Sequence, residues 1–552
     1  MPLSLKLILK INMMLKRILY PFFCVMISVT LYAQTFSRQD SLQGGLRPER
    51  TSFDVQRYDL NIQINTVEKY LSGYNDILFE VKENTRRIQL DLFANMQVDS
   101  IIFQGNKLSY TREFNAVFID FDKTLRKRNQ VTLRFYYSGE PHAAKNAPWD
   151  GGFVWQKDGN GKPWVGVAVQ GTGASLWYPV KDHQSDEPDL GATIKVAVPD
   201  GLMNVSNGRF LGSEKMAGGY TRWDWEVKNP INNYDITVNI ADYVHFGENY
   251  KGLDLDYYVL RENLEAAKVQ FEEVKPMMDC FQDKFGNYPF TKDGFKLVET
   301  PYLGMEHQSA VAYGNQYQMG YLGRDLSGTG VGLLWDFIIV HESAHEWFGN
   351  SITSADIADM WIHEGFTTYA ESVYVECRWG YEKAQQYING LRKSVRNNRP
   401  IIAAYGLNQK GSSDMYPKGA LLINTLRHIV DNDAKWWLIL RKFAETFRHQ
   451  IIDTKTVIDF FNQESGKNLS SIFQQYLLYK NIPTLEVEPV GNSFKYRWKT
   501  DVEGFEMPFE YSYNRKNYKL IATNDWQTFS EKSDLDQTDF SSDKFYYSFK
   551  KN

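Results

Sequence analysis

The hydrophobic pattern of this chain changes period twice along its 552 residues, and no other feature constrains the fold as much. From Asp54 onward apolar and polar residues alternate in "DVQRYDLNIQINT", "GYNDILFEVKE", "RRIQLDLF" and "QVTLRFYYSG", with Gly-, Asn- and Lys-rich breaks between them. Alternation sends successive side chains to opposite faces of an extended strand, one buried and one wet. It persists through "GATIKVAVP" and "DITVNIADYVHF", which predicts a β domain over residues 51–247. From about Asn263 the period becomes helical, as in "NLEAAKVQFEEVKPMMDCFQDKFG", so residues 248–482 are expected to form a mostly α domain. Alternation returns after Pro483 in "TLEVEPV" and "SFKYRWKT", predicting a small β unit over 483–552. The expected class is therefore α+β and multidomain. With 43% hydrophobic and 23% charged residues the chain has apolar mass for several cores.

The ends and the charge narrow the setting. Lys10, Lys16 and Arg17 precede an uncharged run from Ile18 to Ala33, the pattern of a secretory signal, so residues 1–33 are read as a signal cut after Ala33. An uncleaved anchor is the alternative, but the run is short for a bilayer and contains Pro21. The expectation is an exported protein, periplasmic or extracellular, without stable membrane insertion once the signal is removed. Residues 34–50, "QTFSRQDSLQGGLRPER", read as a linker. A net charge of −5 gives no field that would recruit nucleic acid. After cleavage Cys280 and Cys377 remain, either paired or as two buried thiols.

Chemistry concentrates in "GLLWDFIIVHESAHEWFGN". Helical spacing places His341 and His345 one turn apart on one face, and Gly349-Asn350 supplies a stop. Two imidazoles so placed reach one Zn²⁺ at about 2.0–2.1 Å. Glu342 can then lie beside the open coordination position and take a proton from water. A catalytic zinc wants a third protein ligand. Eighteen residues separate His345 from Glu364 in "DMWIHEGFTTYAE", an apolar-periodic helix, and Glu364 is the natural third ligand. Its neighbour His363 points about 100° away on the helix. Glu371, two turns beyond Glu364 on the same face, can accept a hydrogen bond from a ligand histidine.

These residues resemble the M1 family of zinc aminopeptidases, gluzincins that include aminopeptidase N and leukotriene A4 hydrolase, whose pattern is HExxH, eighteen residues, then Glu in WxxEG. The resemblance implies a β saddle domain, a thermolysin-like catalytic domain, a short β-sandwich-like domain and one zinc ion per chain. It implies that "LGMEHQ" binds the substrate's amino end through Gly304, Met305, Glu306 and His307, with Glu306 holding the free α-amino group. Leu303 and His307 depart from the family's glycine and asparagine. It implies a second amine contact from Gln170, nine residues before Pro179, and an oxyanion donor from Tyr416 in "MYPKG". The large helical C-terminal domain common in the family has no counterpart in this sequence.

The expected function is a secreted zinc-dependent aminopeptidase acting on peptides with a free N-terminus, in which Glu342 is the base and Tyr416 the oxyanion donor. The alternatives are a zinc hydrolase of other specificity, an epoxide hydrolase or endopeptidase, or a non-catalytic envelope binding protein on the same fold. The segment 147–166 reads as a β-hairpin turning at "DGNGK", or as a wall of the substrate pocket. Oligomeric state is not legible.

Overall fold

The computed structural model describes residues 36–529 and 537–552; the stretch read as an export signal lies outside the described residues. Among these residues no helix is long and apolar enough to cross a membrane. The segment expected to be a linker is instead docked. It forms two short helices, α1 (Arg38–Gly44) and α2 (Pro48–Thr51). The polar and Gly/Pro residues that suggested a linker are their punctuation: Ser37 and Asp40 make a capping box, Gly45 is the C-cap and Pro48 opens α2. Arg50 is fully buried and pays for its desolvation through Asp91, 2.5 Å away.

The N-terminal β domain is built around β1 (Phe53–Asn65), which pairs antiparallel with β2 (Tyr70–Val81), Tyr58 facing Ile77. A bulge between Val55 and Arg57 resets the alternation, so Phe53 and Val55 are buried before it and Tyr58, Leu60, Ile62 and Ile64 after it. The predicted hairpin is present as β3 (Gly152–Lys157) and β4 (Pro163–Ala168), turning at Asp158–Lys162, where the Asp158 carboxylate accepts from the Asn160 and Lys162 amides. β5 (Ala192–Pro199) runs parallel to β1 in a sheet of eight strands among the described residues.

A mixed sheet follows. Its strands are β6 (Tyr243–Tyr250), β7 (Leu253–Leu260), β8 (Phe295–Glu299), β9 (Gly304–Met305) and β10 (Val311–Tyr313), in the order β6-β7-β8-β10-β9. The expected boundary at residue 247 falls inside β6, because alternation reports a strand and not the sheet it joins. Alternate residues of this sheet face different cores. Leu255, Tyr257, Leu297, Val311 and Tyr313 pack with the helices, whereas Tyr258, Leu260, Val298 and Ala312 pack with the β domain. The sheet thus lies between the two domains, and β9 at its edge is carried to their junction.

The helical domain comprises, among others, α3 (Val274–Phe285), α4 (Phe337–Ala344), α5 (Trp361–Trp379), α6 (Tyr381–Gly390) and α7 (Pro417–Val430). Cys280 on α3 and Cys377 on α5 form a disulfide, which settles the two cysteines as paired. The C-terminal strands, beginning at Thr484–Val490, contribute Leu485, Trp498 and Phe509 to the same core as the helices.

Candidate active site

The helix α4 starts where Asp336 accepts hydrogen bonds from the Ile338 and Ile339 amides. Its regular part stops at Ala344; a π-turn over Glu346–Asn350 follows, broken at Phe348 and Gly349, so the helix ends earlier than the Gly349-Asn350 signal suggests. The break is functional in its consequence. It turns the Phe348 carbonyl back to His345 Nδ1, 2.9 Å away, with the Thr367 hydroxyl 3.2 Å from the same nitrogen. Gly349 (φ +132°) permits it, since a Cβ there would lie 3.1 Å from His345 Nδ1. On the other imidazole, His341 Nδ1 lies 2.6 Å from Glu371 Oε1, and Glu371 Oε2 accepts from Tyr387 at 2.6 Å. Both Nδ1 atoms are therefore the donors, so in the neutral rings both Nε2 lone pairs are turned away from these partners.

Those lone pairs meet Glu364. Its Oε2 lies 3.7 Å from His341 Nε2 and 3.3 Å from His345 Nε2. The three ligand atoms fall within 4.8 Å of one another, and Glu364 Oε2 is buried without a hydrogen-bond donor. Burial alone lowers the basicity of both imidazoles, yet the surrounding carboxylates outweigh it, raising His341 well above its ordinary value and His345 to about 8. The pocket stabilises positive charge where the three atoms converge, and two imidazoles with one carboxylate are a donor set suited to Zn²⁺. His363 takes no part, because its Nε2 accepts from the Ser354 amide at 2.8 Å.

Glu364 is fixed by a second helix. Gly365 and Gly419 let α5 and α7 approach until a Cβ on Gly419 would stand 3.0 Å from Gly365 Cα. That crossing sets Tyr416, just ahead of α7, so that its phenol donates to Glu364 Oε1 at 2.8 Å. Burial and the Glu364 carboxylate hold the phenol well above its ordinary value, so it remains a donor.

These groups line a cavity of about 320 Å³ that also takes in Gln170, Gly304, Met305, Glu306, Glu342 and Lys410. Burial pushes the Glu342 carboxyl up to about 7, against the pull of His341 and His345. Gly304 makes room for it: a Cβ there would lie 2.9 Å from Glu342 Oε1. Glu306 sits beside the ligands, its carboxylate within 4.8 Å of those of Glu342 and of a His345 nitrogen. Gln170 Nε2 donates to Glu306 Oε1, as does the Tyr234 hydroxyl at 3.3 Å, and Asn350 holds the Glu306 carbonyl at 2.7 Å. His307 corrects the expectation of a substrate contact: its ring is fully buried, lies outside the cavity lining and has no hydrogen-bond partner among the described residues. The chain has left β9 at Met305, and from Glu306 to His307 it turns from the cavity into the buried interior. Tyr234, Thr367, Tyr387 and the Phe348 carbonyl were not legible beforehand; only Thr367, three residues beyond Glu364 on the same helix, carries a sequence signal.

Comparison with known proteins gives the same architecture. Residues 55–234 match the peptidase M1 N-terminal domain and residues 269–476 the peptidase family M1 domain. Endoplasmic reticulum aminopeptidase 1 of Mus musculus is 23% identical over 263 residues, 45% of this chain and 28% of that protein. Probable aminopeptidase 1 of Saccharolobus solfataricus is 20% identical over 491 residues, 85% of this chain and 59% of that protein. The chain thus spans about a quarter to three fifths of these relatives' length. In fold it is similar to an M1 zinc metallopeptidase from Deinococcus radiodurans, solved with a Tyr-Ser-Ala substrate: TM-score 0.66, 22% identity, covering 81% of this chain and 99% of that one. With both halves of the family's domain pair matched in order and the helices of the site falling inside the second, the chain belongs to peptidase family M1.

Proposed function

We propose that this protein is a zinc-dependent aminopeptidase that removes the N-terminal residue of peptides and works outside the cytoplasm. His341, His345 and Glu364 would hold the zinc. Zinc in such a site supplies a Lewis acid that brings water towards ionisation at neutral pH and polarises a carbonyl.

The chain's own residues do the rest. Glu342, buried in the cavity wall with its carboxyl near neutrality, takes a proton from the attacking water as the new C–O bond forms. It returns that proton to the leaving nitrogen as the C–N bond breaks, so the products are a free amino acid and a shortened peptide with a new amine. Tyr416, whose one phenolic hydrogen rests on Glu364 Oε1, turns it to the tetrahedral oxyanion as that charge develops. Glu371 and the Phe348 carbonyl keep the two imidazoles in the tautomer that leaves Nε2 free.

The observation that carries the exopeptidase reading is the Glu306–Gln170 pair, a buried carboxylate hydrogen-bonded to an amide on the cavity wall next to Glu342. A carboxylate there binds an ammonium by charge-assisted hydrogen bonds and places one residue between the amine and the point of attack. Export rests on the charged and apolar N-terminal run and on the Cys280–Cys377 disulfide, a bond that persists in oxidising compartments. The test is a panel of aminoacyl chromogenic substrates, assayed with and without chelator and beside Glu342→Ala. Chelator-sensitive release from free-amine substrates is expected. Equal cleavage of N-acetylated substrates would point to an endopeptidase, and no release from any substrate to a non-catalytic protein.

A further inference from the structure

The cavity contains one charged group that the proposed chemistry does not use. Lys410 is the only lysine or arginine among the described residues that line it, beside four glutamates with assigned places. It makes no close ion pair among the described residues, although its charge reaches Glu306 and draws that carboxyl down against burial. The placement is nonetheless built. Gly171, next to Gln170, has φ +78°, and a Cβ on it would stand 2.2 Å from Lys410 Cε and 2.6 Å from Nζ, so the lysine chain fills the space that this glycine leaves.

The backbone that presents Lys410 is held on both sides. Ser412 donates its amide to the Pro400 carbonyl at 3.0 Å, and Arg399 reaches the Gly411 carbonyl at 2.8 Å. Gly411 lies so close to Ile401 that a Cβ would meet its carbonyl oxygen at 1.5 Å. Tyr405 donates to Asp359 at 2.8 Å, and Asn408 to the Gly171 carbonyl at 3.3 Å, which ties this loop to the segment carrying Gln170. The end of α1 abuts the same loop, where a Cβ on Gly44 would meet Leu407 at 2.3 Å.

From this geometry we infer that Lys410 reads the side chain of the substrate's N-terminal residue and selects an acidic one, glutamyl or aspartyl. This rests on Glu306 and Gln170 holding the α-amine. The side chain of that residue springs from the carbon that bears the amine, so it emerges beside Gln170, where the Lys410 chain lies. A carboxylate there gains a close ion pair with Lys410, whose charge otherwise reaches only as far as Glu306, and a basic side chain meets a like charge in a half-buried site. A peptide's C-terminal carboxylate would lie on the other side of the scissile bond, away from Lys410.

The experiment compares kcat/KM of the zinc-loaded full chain on glutamyl, alanyl and lysyl para-nitroanilides, which carry no C-terminal carboxylate. Ratios within each variant cancel any loss of active protein. The glutamyl-to-alanyl ratio should exceed one in the wild type, fall about ten-fold to a hundred-fold in Lys410→Met, and largely survive in Lys410→Arg. Lys410→Glu should shift preference to the lysyl substrate. Release from alanyl substrate without preference for glutamyl, or a Lys410→Met variant in which all three rates fall together, would overturn the inference and leave the aminopeptidase reading standing. No release from any free-amine substrate would overturn both.

Discussion

The two walls of the cavity are built in different ways. The wall that bears His341, His345, Glu364 and Glu371 comes from two successive helices, α4 and α5, locked by hydrogen bonds among buried groups. The facing wall comes from parts distant in sequence: Gln170 and Gly171 in the β domain, Gly304–Glu306 at the edge of the mixed sheet, and Lys410 in a loop tied to both domains. In the proposed function the reactive groups sit on rigid, locally specified elements, and the substrate contacts sit where two domains meet. That division lets the chemistry stay fixed while the junction sets what enters.

The largest expected effect falls on the helical wall. Glu342→Gln should lower kcat by about a thousand-fold, within the range for loss of a general base, while leaving zinc content unchanged because the three ligands remain. Metal analysis beside kinetics checks both halves; a variant that lost its zinc would make Glu342 a structural group.

The junction should show itself in stability rather than turnover. Glu187 belongs to the β domain and is buried, and burial raises its carboxyl to about 8, opposed by the nearby Thr353 side chain of the helical domain. The folded chain keeps a proton that the unfolded chain releases near its ordinary value of 4.5. The contribution is therefore complete below pH 4.5 and is lost as pH rises through 8, by at most about 5 kcal/mol. Denaturant midpoints of the wild type should fall between pH 5 and 8 relative to Glu187→Gln, which cannot ionise. Parallel pH profiles would contradict this.

Smaller effects separate holding the metal from using it. Glu371→Gln should weaken zinc affinity about ten-fold to a hundred-fold, measured by competition with a chelator, with kcat at saturating zinc much less affected. Gly419→Ala should cost about 1 kcal/mol, since crowding against Gly365 outweighs the gain in helix propensity, and should lower kcat by displacing Tyr416. Thermal unfolding and kinetics together test it; a gain in stability with unchanged kcat would show that the α5–α7 crossing has slack.

The same contrast explains what the sequence made legible. His341 pairs with His345 and Glu364 with Glu371 because helical spacing fixes which side chains share a face, and the need for a third zinc ligand at the M1 spacing joins the two pairs; the fold follows the change of period. Tyr234, the Phe348 carbonyl and Lys410 could not, since their positions come from contacts between segments far apart, and nothing local marks a lysine in a loop as lining a cavity. His307 adjoins Glu306, which carries the motif, but the chain past the end of β9 turns the histidine into the interior, and no local pattern marks that turn. The supposed linker failed for a related reason: Gly-Gly and Pro mark helix ends as readily as flexible chain, and only the burial of Arg50 against Asp91 distinguishes the two.

Whether the Glu306–Gln170 wall selects amino ends turns on one ratio: kcat/KM for a peptide with a free N-terminus over that for its N-acetylated form, in the wild type and in Glu306→Gln. The prediction is a ratio of about a hundred or more in the wild type, collapsing towards one in the variant through loss on the free-amine peptide alone. A wild-type ratio near one, or a high ratio that survives Glu306→Gln, would contradict the account.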